Sequence, residues 1–552
     1  MTPRQGPPVP RLLGRPAGGL LWMGWALAWM LAGPAAHAAS AIQPTHAPPG
    51  EWPVPAPGDA RLPDMPAHEG PGCPDPAQGP AWSVPPLLVE PASVSRHFPA
   101  WPASGAWPIL DRSREPGASD WRAEVLGQSS QGRPLIIWTH LAERDPGRAP
   151  WVLVVAGQHG DEPSGPLAAR CWMRQTQAER PSWWARFNVA VIPWLNPDGA
   201  ASGLRANAQG VDLNRDHLRL ASPETRALAR WVAMRPHLLA VLDLHEFPAR
   251  GPDDHSWSSE DVLLQAGGVL NQDPDLTHFA QYEWLPAVRA GLKDEGLRAG
   301  DYRLFQRDAQ GERWVETGSA SPEHLRNAMA LRGVLALLVE TRGSDLGGRH
   351  LDRRMGAHLT TLNTSLALFA QHLERLQQEQ AWAGEVQASL ACEGTWYRQA
   401  LGQSSVQSIR LLGDDGMVQV RAMRVLDFRS PLPRWSESRP CAHVLVDPPE
   451  AWREALILLG IEIALRPLPH AGKMAWGMMP WPADWRWPQA LSGTGRPGEG
   501  PAWGLDMRQR LSPLLGAWLE QARDQLEEGA STLLLRVERA PVASGASALP
   551  AR

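Results

Sequence analysis

Cysteine, tyrosine, phenylalanine and lysine are all scarce in this chain of 552 residues, which has four cysteines, three tyrosines and seven phenylalanines. Cys73, Cys171, Cys392 and Cys441 show neither the paired short spacing of a zinc finger nor the company of a cysteine nucleophile, which sets both classes aside. An excess of positive charge is missing too. The formal net charge of −5 offers nothing for nucleic acid or for an anionic membrane surface. Beyond the amino terminus no apolar run is long enough to read as a membrane helix, so no span is expected once a leader is removed. What is present, 43% hydrophobic and 20% charged residues, describes a globular protein with room for two domains and extensions.

The first 38 residues read as a secretory signal peptide. Arg4, Arg11 and Arg15 form a basic section, Gly19 to Ala32 an apolar run, and Ala36-His-Ala38 a small-x-small cleavage site with the cut after Ala38. The expected destination is secreted or periplasmic. Residues 39–117 are crowded with proline and lack periodicity, which favours extended chain. In an exported protein the cysteines can oxidise; Cys392 and Cys441, in the same carboxyl-terminal region, are the expected pair, and Cys171 reads as a small buried hydrophobe.

Residues 118–380 alternate apolar strands with amphipathic helices, the signature of an α/β domain with a mixed, mostly parallel sheet flanked by helices. Pro248 to Arg313 reads as a long insertion of cleft-forming loops. A helix from about Leu351 to Gln380, with Leu359, Leu362, Leu366, Phe369 and Leu373 in one stripe, closes the domain. Residues 386–542 read as a smaller α+β or β-rich accessory region, and 543–552 as a disordered tail.

Chemistry is concentrated at the ends of apolar runs. Trp151 to Ala156 leads into His159-Gly-Asp-Glu162, Leu238 to Leu244 into His245, and Val334 to Val339 into Glu340. Open parallel sheets put their ligands at the carboxyl ends of strands. Two histidines and two glutamates supply what hydrolytic zinc needs, three N/O ligands and a carboxylate beside a water. His-x-x-Glu alone is weak, and Asn196-Pro-Asp-Gly199 is a strong turn anywhere, just as Asp212 ahead of Asn214 and Arg215 fits a helix cap.

Taken together, Leu126-Gly-Gln-Ser-Ser-Gln-Gly-Arg133, His159-Gly-Asp-Glu162, Asn196-Pro-Asp-Gly199, Arg205-Ala-Asn207, Gly210-Val-Asp-Leu-Asn-Arg215, His245 and Glu340 occur in an order that resembles the zinc metallocarboxypeptidase family, with its carboxypeptidase A-like fold. The resemblance runs from about Trp121 to about Gln378. It implies one Zn2+ per chain held by His159, Glu162 and His245, with Glu340 as general base. It further implies that Arg205 holds the oxyanion, that Asn214 and Arg215 hold the free carboxylate of a peptide substrate, and that Asp212 bonds His159. Two departures stand out. Asp161 occupies a position where the digestive carboxypeptidases have arginine, and their mobile tyrosine has no counterpart in Thr317-Gly-Ser-Ala-Ser-Pro322, Tyr302 lying further upstream.

The function expected is that of a secreted carboxypeptidase, with cell-wall peptides as one substrate class because the motifs also resemble peptidoglycan tripeptide amidases. An N-acyl amino acid deacylase of the aspartoacylase and succinylglutamate desuccinylase type shares the ligands and the Asp-Leu-Asn-Arg motif. A binding protein that keeps zinc without turnover is the non-enzymatic alternative.

Overall fold

A computed structural model describes residues 120–446, 448–466, 485–486, 502–526 and 533–539. The signal-peptide and proline-rich segments and the tail expected at 543–552 lie outside the described residues.

In chain order the strands of the principal sheet are β1 (Arg122–Gln128), β2 (Pro134–His140), β3 (Trp151–Ala156), β4 (Asn188–Ile192) and β5 (Leu238–Phe247), followed by β7 (Val262–Ala266), β8 (Ala299–Asp301) and β11 (Leu335–Arg342). They lie in the order β1-β2-β4-β3-β5-β11-β7-β8. The four central strands run parallel, and antiparallel pairs join β1 to β2, β2 to β4 and β11 to β7. The expectation of a mixed, mostly parallel sheet holds.

The reason is visible in β3. Val152, Val154 and Ala156 enter one hydrophobic core and Leu153 and Val155 the other, so both faces of the strand are buried and its sequence is continuously apolar. Helix α1 (Ser164–Glu179) covers the first face, together with a helix over Leu351–Gln371. Helices over Pro223–Ala233, Leu325–Leu331 and Ser512–Leu526 cover the second.

The insertion differs from the expected loops. It contributes β7 and β8 to the principal sheet, and β6 (Ser256–Ser258) and β9 (Arg303–Arg307) to a second one, which β10 (Arg313–Thr317), starting at its last residue, joins. That second sheet is completed by a long hairpin, β12 (Thr395–Gly413) and β13 (Val418–Ser438), with β13 parallel to β10. Ion pairs reinforce the junction: Asp253 receives Arg313 at 3.1 Å and also Arg421. The closing helix is likewise two helices, Leu351–Gln371 and Leu373–Ser389, separated at His372, whose φ of −108° leaves the helical region. Its stripe is buried as expected.

The carboxyl-terminal strands β14 (Ala442–Val446), β15 (Ala464–Arg466), β16 (Trp485–Arg486), β17 (Ala502–Asp506) and β18 (Leu533–Arg539) form a third sheet. Leu445, Leu456, Trp503, Leu505, Leu514 and Leu515 share one apolar cluster with Leu153, Val155 and Val241 of the principal sheet. Cys392 and Cys441 are joined. Cys171 is not a free buried thiol, since it too is disulfide-bonded.

Candidate metal centre

His159 follows β3 on a turn that Gly160 makes possible. A Cβ at Gly160 would overlap the backbone of Gly199 and Ala200, so the His-Gly-Asp-Glu and Asn-Pro-Asp-Gly segments meet glycine to glycine. Asn196 secures that meeting: its Oδ1 accepts from the Gly199 N–H at 2.8 Å, and its Nδ2 donates to the carbonyls of Gln158 and Arg205 at 3.1 and 3.2 Å. Asp198 accepts from Ser129 Oγ and from the Gln131 N–H at 2.7 and 2.9 Å and pairs with Arg133 at 2.6 Å, which ties in the Gly-Gln-Ser-Ser-Gln-Gly-Arg segment. These motifs are the scaffold of the site, holding it from behind.

The other two strands do not end where the motifs were expected to begin. β5 continues through His245 to Phe247 and β11 through Glu340 to Arg342, so both side chains project from paired backbone, with Glu340 in register opposite His245. A side chain on a central strand is held more tightly than one on a loop.

Three groups converge. His159 Nδ1 lies 2.8 Å from Glu162 Oε1, His245 Nδ1 lies 2.9 Å from Glu162 Oε2, and the two Nδ1 atoms are 3.0 Å apart. Behind them His159 Nε2 meets Asp212 Oδ1 at 3.0 Å and His245 Nε2 meets Asp243 Oδ1 at 2.9 Å. Gln158 Nε2 donates to Asp243 at 2.7 Å, and its Oε1 accepts from His217 at 2.7 Å.

Burial alone would pull both imidazoles toward neutrality, yet each is held above its ordinary pKa, His159 by Glu162 and Asp212 and His245 by Asp243 and Glu162. Burial likewise opposes the Glu162 charge, and the two histidines overcome it and hold the carboxyl well below its usual range. The pocket therefore favours positive charge. Two protonated Nδ1 atoms cannot face each other at 3.0 Å, whereas one divalent cation satisfies both nitrogens and the carboxylate together. With each far nitrogen on a carboxylate, as ligating histidines require, the residues fit a zinc ion.

Around this core the remaining expected residues divide. Glu340 is buried, and burial followed by the charge of Glu162 pushes its carboxyl up to about 7 against the pull of His245, His159 and Arg205. Arg205 is half-exposed and spans Glu162 and Asp212, both at 3.2 Å. Asp212 also caps the short turn Leu213–Arg215 through the Asn214 N–H. Asn214 turns inward, its Oδ1 accepting from the Leu325 N–H at 2.9 Å and its Nδ2 lying 3.2 Å from His245 Nε2, while Arg215 remains exposed. Asp161 is half-buried beside Glu162, and burial raises its pKa.

Sequence reasoning missed the contribution of Gln158. Gln158 sits next to a named ligand, and adjacency was the available signal.

A profile of the zinc carboxypeptidase family matches residues 119–249. Carboxypeptidase 2 of Trichophyton rubrum is 28% identical over 290 residues, 49% of this chain and 53% of the relative. Murein peptide amidase A of Escherichia coli is 33% identical over 179 residues, 31% of this chain and 69% of the relative. A solved metallo-carboxypeptidase from Pseudomonas aeruginosa, in complex with (2-guanidinoethylmercapto)succinic acid, covers 46% of this chain and 65% of its own at 21% identity and a TM-score of 0.35. The chain spans between about two fifths and half of the length of the fungal relatives it matches. With the profile match covering both His159-Gly-Asp-Glu162 and His245, and a relative matched over most of its length, the chain belongs to the zinc carboxypeptidase family.

Proposed function

We propose that this chain is an exported zinc-dependent carboxypeptidase, which hydrolyses an amide bond next to a free carboxyl terminus. The pairing of Glu340 opposite His245 carries the reading, because it sets a buried carboxyl of raised pKa beside three converging ligand groups. His159, Glu162 and His245 would hold one zinc ion per chain, and Asp212 and Asp243 orient the imidazoles. Bound there, zinc supplies a Lewis acid that polarises a carbonyl and acidifies water.

The protein's own groups do the rest. Glu340 accepts a proton from the attacking water and returns it to the leaving nitrogen, a task suited to a carboxyl pushed up to about 7. Arg205 donates to the carbonyl oxygen as negative charge develops. Arg215 pairs with the terminal carboxylate of the peptide through its planar fork. Asn214, beside it, supports that position from within the site.

The amino-terminal leader would carry the protein out of the cytoplasm. Among the described residues no helix is long and apolar enough to cross a membrane. The name of the E. coli relative, a murein peptide amidase, adds cell-wall peptides to ordinary peptides as a substrate class.

The test is zinc content and hydrolysis of a panel of peptides, cell-wall tripeptides and N-acyl amino acids, by the mature chain and by Glu340→Gln. Expected are stoichiometric zinc in both and release of carboxyl-terminal residues by the parent, reduced about 10²–10⁴-fold in the variant. A parent without metal overturns the ligand assignment. Turnover of N-acyl amino acids but not peptides selects the deacylase reading, and binding of peptides without turnover the binding-protein one.

A further inference from the structure

At the end of the principal sheet away from the metal ligands, a cavity of about 240 Å³ lies in the seam between the catalytic domain and the carboxyl-terminal region. Leu238, the first residue of β5, and Val334, just ahead of β11, border it. Seven residues of extended chain separate Leu238 from His245, about 23 Å at 3.3 Å per residue, so the cavity is no part of the metal centre. It has room for about eight waters, or for a small organic ion.

Three guanidiniums line this space: Arg235 beyond the helix Pro223–Ala233, Arg332 after the helix Leu325–Leu331, and Arg510 ahead of the helix Ser512–Leu526. None has an ion pair among the described residues. Arg235 lies over the rings of Trp151 and Trp231, 5.0 and 4.6 Å from their centroids, so the indoles take its flat faces and its hydrogen-bonding edge is left over. Arg332 donates through Nη1 to the Leu459 carbonyl at 2.6 Å. Burial brings its pKa down to about 10, yet part of its surface stays accessible, as expected of a side chain on a cavity wall. Arg510 is exposed but held in place. Its guanidinium lies against the backbone at Gly384, where an added Cβ would fall 2.1 Å from Nε, and its Nη2 reaches the Gln380 carbonyl at 3.5 Å. Gln380 in turn donates to the carbonyls of Leu238 and Gly333 at 2.7 and 2.9 Å, which fixes this wall to the starts of β5 and β11.

Two carboxylates share the lining without answering the arginines. Asp273 is occupied as a helix cap, its Oδ1 accepting the N–H groups of Asp275 and Leu276 at 3.0 Å, and Glu462 is exposed. Around one small void, cations in excess focus a positive potential that draws in an anion. We propose that this cavity is a second ligand site, which takes a small organic or inorganic anion bearing two or more carboxylate or phosphate groups. Guanidinium edges match both groups through paired N–H donors, and arginines from three separate segments suit an ion with several oxygens better than a single carboxylate. Bound there, the anion bridges the catalytic domain to the carboxyl-terminal region without touching the metal ligands.

The experiment is isothermal titration calorimetry of the zinc-loaded mature chain with citrate, with pyrophosphate and with acetate, repeated on Arg332→Gln, Arg510→Gln and, as a control on the exposed hairpin, Arg424→Gln. Expected is one saturable site per chain for citrate or pyrophosphate with Kd below about 1 mM, acetate binding at least about tenfold more weakly. Affinity should fall at least about tenfold in Arg332→Gln and in Arg510→Gln and stay unchanged in Arg424→Gln. The stronger of the two polyanions says whether carboxylate or phosphate is the natural group. Absence of saturable binding by both polyanions overturns the proposal, as does binding that survives intact in Arg332→Gln and Arg510→Gln or falls equally in Arg424→Gln. If Arg332→Gln fails to fold, Arg510→Gln and Arg235→Gln decide by the same criteria.

Discussion

Each metal-site histidine turns Nδ1 to Glu162 and Nε2 to an aspartate, and this division of the ring decides which tautomer is available to a cation. Asp243 is the more buried of the two aspartates, at 1% side-chain exposure against 27% for Asp212, so water replaces it least readily. Asp243→Asn should weaken zinc affinity by about 10–100-fold, measured by competition with a chelator, and an unchanged affinity would remove Asp243 from this role. A second prediction at this scale concerns His358. It is fully buried, with Nε2 at 3.3 Å from both Ser164 Oγ and Thr341 Oγ1 and Nδ1 without a partner among the described residues. Burial, helped by the charges of His245 and Arg354, lowers its pKa to about 3. The unfolded chain takes up that proton near pH 6.5, so the folded state is stabilised in full above that value. The stability is lost as pH falls from about 6.5 toward 3, at up to about 1.4 kcal/mol per pH unit. Denaturant titrations across this range should show the slope flattened in His358→Asn; an identical slope would mean that His358 does not titrate with unfolding.

Among the elements, the turn after β3 and the short helix Pro197–Ser202 depend on each other through Gly160 and Gly199. Gly160→Ala should cost at least about 1–3 kcal/mol and lower zinc occupancy, because the added carbon meets backbone that cannot rotate away. Full stability and full zinc content together would show that the contact is looser than drawn. The disulfide between Cys392 and Cys441 closes 49 residues around the β12 and β13 hairpin. Replacing both by serine should lower stability by about 4 kcal/mol in the chain-entropy view, read from the denaturation midpoint. At this scale the sequence was legible wherever apolar periodicity was strong. β3, β5 and β11 were readable as buried runs, and the ordered motifs announced His159, Glu162, His245 and Glu340. Less legible were the extensions of β5 and β11 past their apolar runs, since strand pairing, not hydrophobicity, carries the backbone through His245 and Glu340. The insertion between Pro248 and Arg313 read as loops because its strands are short and one of them, β6, pairs with a segment more than a hundred residues away, Trp257 opposite Leu412.

For the whole molecule, the carboxyl-terminal sheet and the helix Ser512–Leu526 are packed into the same apolar cluster as the principal sheet. The boundary expected near 380–386 falls inside the helix Leu373–Ser389. Leu515, fully buried in that cluster, offers the test: Leu515→Ala should cost about 2–5 kcal/mol and shift one unfolding transition seen equally by tryptophan fluorescence and by zinc release. Two separate transitions would show that the carboxyl-terminal region folds on its own. The sequence by itself determined which residue types the site can draw on and the parallel sheet that carries them, because residue types, motif order and apolar runs are local properties of the chain. Only the tertiary structure decided that the carboxyl-terminal region shares the core and that Asn214 turns inward toward His245 and Leu325. Those outcomes depend on which distant surfaces meet, and the spacing of residues along one chain carries no record of the partners that long-range packing supplies or withholds.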